Sequence, residues 1–186
     1  MSLRPFGKMD FVGSAAIGSG SLEDLEAISE IYGHYVRTSA ISFDLEVPGA
    51  DVRREWFSMF DTSGRHRLLV VRDDGRTVAY AASAPYRPRA AYAPSVETSV
   101  YVAPSHVGRG LGSALYEALL SALEREDVHR AYAGIGMPNP ASVRLHERFG
   151  FRRVGYYTEQ GRKFQRYWDV AWYERSFPEV ASATSG

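Results

Sequence analysis

The 186-residue sequence contains no cysteine. That excludes a disulfide framework, a thiolate metal site and a cysteine nucleophile. It also lacks an excess of either charge, with 22 Lys and Arg against 22 Asp and Glu. The balance gives no overall attraction to nucleic acid or to an anionic membrane, and there is no basic stripe of the kind that marks a nucleic-acid surface. No apolar run reaches the roughly 18 residues that a membrane span needs. The first residues lack the charged-then-apolar pattern of a secretion signal. A cytoplasmic protein is expected, with neither nucleic acid nor a membrane as partner. The histidines, His34, His66, His106, His129 and His146, show no ligand spacing, so no metal is expected.

Against these absences, hydrophobic residues make up 45% of the chain and aromatic residues 13%. That is enough for an ordinary globular core. The length fits one domain. The expected division is an irregular segment over residues 1–10, one domain over residues 11–177, and a frayed tail over residues 178–186.

The pattern predicts a mixed α/β order. A first strand is expected from Phe11 to Ile17. A helix introduced by Ser21 and Asp24 puts Leu25, Ile28, Tyr32, Tyr35 and Val36 on one face. Asp51 is the expected cap of a second helix that carries Trp56, Phe57 and Phe60. Strands are expected over Arg67–Arg72 and Thr77–Ala84, with Asp73, Asp74 and Gly75 as the hairpin turn between them. Another runs from Val96 to Val102. The strongest helix is Gly110–Glu126, whose apolar stripe is Leu111, Ala114, Leu115, Ala118, Leu119, Ala122 and Leu123. Arg130–Gly136 is a strand. A short helix then starts at the cap Asn139, with Pro140 first and Gly150 as its stop. Phe151–Thr158 and Phe164–Trp172 are the last strands.

The chemistry concentrates where the Val96–Val102 strand meets the strongest helix. Val107-Gly108-Arg109-Gly110-Leu111-Gly112 has three glycines in five residues, which lets backbone approach a ligand closely. The free N–H groups that begin the helix, at the positive end of its dipole, make an anion site suited to a diphosphate. The loop is not that of a nucleotide triphosphatase, because Ser113 and Ala114 follow Gly112 where Lys and Ser or Thr are needed. The dinucleotide fingerprint fits poorly, since Ser113 stands where its last glycine belongs. A glycine turn that merely opens a helix is the bland alternative.

At these residues the sequence resembles the GCN5-related N-acetyltransferase (GNAT) superfamily. Gly110-Leu111-Gly112 fit its pyrophosphate loop, although Val107 stands where Gln or Arg is usual. The resemblance implies that Gly108, Arg109 and Ser113 share in this grip, with Arg109 supplying charge. Asn139-Pro140-Ala141-Ser142-Val143-Arg144-Leu145-His146, ending at Gly150-Phe151, resembles the family's second block, with His146 where many members have Tyr. Tyr32–Ser39, Glu97–Val102 and Ile135–Asn139 narrow the likeness to the phosphinothricin and methionine sulfone (sulfoximine) acetyltransferases. The implied fold is a GNAT sheet split where acetyl-CoA inserts between two parallel strands. Asn139, with Ser142, is then expected to hold the pantetheine arm, and Val100, Tyr101 and Val102 to pair with it as an added strand. A homodimer is implied as well.

The implied reaction is transfer of acetyl from acetyl-CoA to the amine of a small amino-acid-like substrate, by direct attack through a tetrahedral intermediate. An ammonium group must lose a proton first. Glu97 is the expected base, directly or through a water, and pairing with a nearby Arg is its structural alternative. His146 is the expected proton donor to the departing thiolate, although a lone helical His is more often structural. Arg87, Arg89 and Tyr92 in the loop Tyr86–Tyr92 match the family's clamp for acidic substrate groups, and Phe43 matches an aromatic wall. Tyr32, Tyr35 and Trp168 are expected in packing or in a dimer contact. Acetylation of a polyamine or a protein N-terminus, and a CoA-binding module without turnover, remain open.

Overall fold

The computed structural model describes residues 10–12 and 15–177. The segments 1–9 and 178–186, where an irregular start and a frayed tail are expected, lie outside the described residues.

Among the described residues, four α-helices and an eight-stranded sheet follow the chain as β1 (Asp10–Val12), β2 (Ala15–Ser19), α1 (Leu25–Thr38), α2 (Ala50–Phe57), β3 (Arg67–Asp73), β4 (Arg76–Pro85), β5 (Ser95–Val102), α3 (Leu111–Leu123), β6 (Arg130–Gly136), α4 (Pro140–Arg148), β7 (Arg152–Lys163) and β8 (Arg166–Ser176). The strand order is β1-β2-β3-β4-β5-β6-β8-β7. Among the described strands only β5 and β6 pair in parallel, joined by the crossover through α3.

Alternation along the strands divides the core into two layers. Leu69, Val71 and Ala81 face α3, whose Leu111, Leu115, Tyr116, Leu119 and Leu123 are buried against them. Leu68, Val70, Tyr80 and Ala82 face α1, through Ile28 and Ile31. α3 therefore buries a stripe wider than the expected one, since Tyr116 and Leu120 join it.

The parallel pairing is short. Ser95, Val96 and Glu97 stand opposite Arg130, Ala131 and Tyr132, and there the register ends. Thr98 Oγ1 makes a last link to the Tyr132 carbonyl at 3.2 Å, and it lies 2.7 Å from the buried Tyr116 hydroxyl. Beyond it β5 stays on β4 while β6 stays on β8. The sheet is split as expected, and Glu97 sits at the fork.

Several boundaries differ from the sequence-based expectation. The expected first strand is two, β1 and β2, with Val12 opposite Ala15. Asp51 is not a cap. α2 opens after Gly49, and Asp51 lies in its first turn, accepting from Arg54 Nη1 at 2.7 Å. Phe164 and Gln165 are a turn rather than a strand start, with φ of 52° and 60°. β7 continues through the polar Glu159–Lys163 because a register shift after Tyr157 carries it past Glu159 at positive φ.

Candidate active site

The loop between β5 and α3 shows how the sequence makes an anion site. Gly108 and Gly110 have φ of 85° and 80°, the left-handed region that a side chain resists. Gly110 is the N-cap of α3 and has no side chain to offer, so the first N–H groups of the helix face outward. Behind the loop, Asp73 holds it in place. Arg109 Nη1 donates to Asp73 Oδ2 at 2.9 Å, and His106 Nε2 lies 3.6 Å from the same oxygen.

In front of the loop runs a groove of about 440 Å³. Val100, Tyr101 and Val102 of β5 form one wall, Val107, Gly108, Gly110, Leu111, Gly112 and Ser113 a second, and Asn139 and Ser142 a third. Every expected coenzyme residue is brought to this groove except Arg109. The Arg109 side chain is turned to Asp73 instead, while its backbone N–H belongs to the loop. The cations on the groove wall are Arg144 and Arg148 of α4. Sequence reasoning missed them, although Ala141, Arg144, Leu145 and Arg148 follow the i, i+3, i+4, i+7 spacing of one helix face. Tyr35 also lines the groove, where packing or a dimer contact was expected, and its hydroxyl donates to the Val102 carbonyl at 2.6 Å.

Asn139 caps α4 as expected. Its Oδ1 accepts from Ser142 N–H at 3.1 Å, which leaves the side-chain NH2 as its donor toward the groove. From this wall a neck of about 60 Å³ passes between the parted strands, lined by Ile41, Thr98, Ser99, Tyr101, Gly134, Ile135, Asn139 and His146 among others.

His146 is 3% exposed. Its Nδ1 lies 2.8 Å from the Ser142 carbonyl. A carbonyl only accepts, so Nδ1 carries the proton. Nε2 has no partner. The ring lies among Tyr116 and Phe151, each about 5.1 Å away and edge-on. Burial pulls its pKa below the usual imidazole value, against the opposing pull of the Ser142 carbonyl. Burial thus favours the neutral imidazole, and Nε2 has no hydrogen-bond partner among the described residues.

Glu97 is half-buried, and burial pushes its carboxyl above the usual range while the positive charge of Arg87 pulls it back in part. A carboxylate raised toward neutral pH is a stronger base than one in water. Alternation on β5 puts Glu97, Ser99 and Tyr101 on the face toward α1 and α2, and the coenzyme groove touches that face only at its Tyr35 and Tyr101 end.

The residues expected at the acceptor are more scattered. Arg87 lies over the Tyr86 ring at 5.0 Å, and Tyr86 stacks on Tyr132 at 4.2 Å. Tyr92 meets Tyr86 edge-on at 6.0 Å. Arg87, Arg89 and Tyr92 are exposed on this loop. Phe43 lies against Gly161, where a Cβ would come within 2.3 Å of its ring. Lys163 Nζ donates to the Ser42 carbonyl at 2.7 Å and ties the same segment to β7. None of Phe43, Arg87, Arg89 and Tyr92 lines the groove or the neck. Trp168 packs under Arg166, at 3.8 Å, and donates to the Lys163 carbonyl. Among the described residues there is no cluster of His, Asp and Glu suited to a metal, and no helix long and apolar enough to cross a membrane.

Residues 26–151 match the model of the acetyltransferase (GNAT) family. The chain is 56% identical to a phosphinothricin N-acetyltransferase of Streptomyces coelicolor, over 84% of this chain and 92% of that one. It is 33% identical to an L-methionine sulfoximine/L-methionine sulfone acetyltransferase of Salmonella typhimurium, over 86% and 92% of the two chains. A crystal structure of a phosphinothricin acetyltransferase from Sinorhizobium meliloti in complex with acetyl-CoA superposes with a TM-score of 0.82 at 28% identity, covering 89% of each chain.

Proposed function

Because this chain belongs to the acetyltransferase (GNAT) family, we propose that it transfers acetyl from acetyl-CoA to the amine of a small amino-acid-like acceptor of the phosphinothricin, methionine sulfone or methionine sulfoximine type. The observation that carries this reading is the fork of the sheet. It sets a glycine-lined anion groove and the neck between β5 and β6 next to the half-buried carboxylate of Glu97, which stands at the last parallel pair.

The residues fit the coenzyme. The α3 N-terminus, with the amides of 108–113, suits a diphosphate. Arg144 and Arg148 add charge from α4, and the free edge of Val100–Val102 with Asn139 suits the pantetheine amides. When bound, acetyl-CoA supplies the acyl group in activated thioester form. Glu97 takes the proton from the acceptor ammonium, directly or through a water. Main-chain N–H groups of β5 stabilise charge on the carbonyl oxygen. His146 is the candidate donor to the leaving thiolate. Its resting tautomer makes Nε2 an acceptor, so it gives a proton only after receiving one. Arg87, Arg89, Tyr92 and Phe43 frame the acceptor from the rim. A homodimer belongs to the same proposal, supported by the exposed Tyr157, Phe164 and Tyr167 on the β7–β8 hairpin. So does a cytoplasmic location, supported by the absence of cysteine.

The test is release of free CoA thiol from acetyl-CoA in the presence of phosphinothricin, methionine sulfone, methionine sulfoximine, a polyamine and a peptide with a free N-terminus. Release with the first three is expected. Release with the polyamine or peptide alone refutes the acceptor class. Binding of acetyl-CoA with no release in any arm identifies a module without turnover.

A further inference from the structure

A separate cavity of about 240 Å³ lies between α1 and α2. Tyr32, Asp44, Arg53, Trp56, Tyr80, Ser99 and Tyr101 are on its walls. Ser99 and Tyr101 also line the neck, so the two cavities share β5 as a wall. The cavity therefore adjoins the point where an acyl group emerges from between the strands, on the face that carries Glu97.

Arg53 is only 5% exposed. Its guanidinium carbon lies 4.0 Å from the Trp56 ring centre and 5.1 Å from that of Tyr32. Nε donates to Ser29 Oγ at 3.3 Å. The Tyr80 hydroxyl faces the same guanidinium, but Nη2 has no hydrogen-bond partner among the described residues. A buried donor on a charged group is costly to leave unpaired. Asp44 on the same wall accepts from the Tyr32 hydroxyl at 2.7 Å through Oδ2 and does not reach Nη2. Stacking on two rings fixes the guanidinium plane, and a fixed plane keeps the free N–H aimed without further ordering. The exposed Arg87 and Arg89 lack this advantage, since water competes for them.

We propose that Arg53 binds an oxygen of the acceptor, either its carboxylate or a sulfonyl or phosphinyl oxygen, and thereby selects acceptors that carry one. The inference rests on the amino-acid-like acceptor proposed above. A polyamine would bring a cation to this guanidinium and is disfavoured there. Binding of this kind helps ground and transition states alike, so its loss raises KM and leaves kcat largely intact.

The experiment compares Arg53→Met and Arg53→Lys with the parent protein on four acceptors, as substrates or, where turnover is slow, as competitive inhibitors. Methionine sulfone carries both kinds of oxygen, its carboxamide only the sulfonyl pair, norleucine only the carboxylate, and norleucinamide neither. For methionine sulfone, KM is expected to rise about tenfold or more in Arg53→Met and less in Arg53→Lys, as for loss of one charge-assisted hydrogen bond. Norleucinamide is expected to be unaffected. The intermediate pair then shows which oxygen Arg53 holds. An equal rise for all four acceptors, or none for methionine sulfone, overturns the proposal. Acetyl-CoA affinity and melting temperature report folding, and Arg53→Lys carries the test if Arg53→Met does not fold. If the parent protein turns over no amino-acid analogue, the activity reading has failed separately. Calorimetric binding of methionine sulfone to parent and variant then decides on Arg53 alone.

Discussion

On one face of β5 the groove is walled by main chain: Gly108 and Gly110 at positive φ, the opening N–H groups of α3, and a strand edge. On the other face the cleft is walled by side chains from distant segments. Ser99 and Tyr101 come from β5, Arg53 and Trp56 from α2, and Tyr32 from α1, with Glu97 two residues before Ser99 on the same strand face. The coenzyme is the same in every turnover, and amides in a fixed loop hold it without depending on which side chains surround them. Acceptors differ in their chemistry, and side chains can be changed without disturbing the sheet. The two faces should therefore respond differently to substitution.

The largest effect is expected at the fork. Glu97→Gln should lower kcat/KM for the acceptor by about a hundredfold to ten-thousandfold, the range for a lost general base, while acetyl-CoA affinity stays unchanged by calorimetry. The parent pH–rate profile should rise with a limb above the usual carboxylate range, because burial raises the Glu97 pKa. The limb should vanish in the variant. The stability effect runs the other way. A carboxyl raised by folding contributes stability that is present below its unfolded pKa and lost as pH rises through the folded value. At pH 8 the Gln variant should therefore melt no lower than the parent. A lower melting temperature would assign Glu97 a structural role through Arg87.

Next comes the main-chain face. Gly110→Val puts a β-branched residue at φ 80°, which only glycine adopts without strain. The loop should relax and turn its amides away. Each charge-assisted hydrogen bond lost to the diphosphate is worth about 1.5–3 kcal/mol, so acetyl-CoA should bind about tenfold more weakly or worse. The acceptor KM, measured at saturating acetyl-CoA, should hardly move. If both constants move together, the two faces are not separable.

The same contrast explains what could be read in advance. Gly108-Arg109-Gly110-Leu111-Gly112 and Asn139-Pro140 carry their geometry locally, through φ preference, helix dipole and capping. They were legible from the residues, and the structure puts Gly108, Gly110, Leu111, Gly112 and Asn139 on one groove. The split between β5 and β6 followed from the family resemblance rather than from the strand pattern. Arg53 had no local signal, since its burial depends on Trp56 and Tyr32 meeting over it from two helices. The extension of β7 through Glu159–Lys163 was hidden because its residues are polar and its register slips. The Arg109 side chain is a related case. Its position in the loop points to phosphate, but Asp73, 36 residues earlier, takes its charge.

That ion pair gives the smallest and sharpest prediction. Arg144 and Arg148 are exposed cations on the groove wall, and such charges contribute about 0.2–1 kcal/mol each to an ionic contact. Arg144→Ala and Arg148→Ala should each weaken acetyl-CoA binding by about twofold to fivefold at low salt, since 1.4 kcal/mol is tenfold. The effect should shrink as salt screens exposed charge. Arg109→Ala should change the affinity less than either, because His106 still faces Asp73 behind the loop. Its salt dependence should match the parent's, whereas the double Arg144→Ala, Arg148→Ala variant should be flatter. The reverse ranking would mean that Arg109 leaves Asp73 for the phosphates when the coenzyme arrives. The loop would then be a side-chain device as well as a main-chain one, and the contrast between the two faces of β5 would weaken at that point.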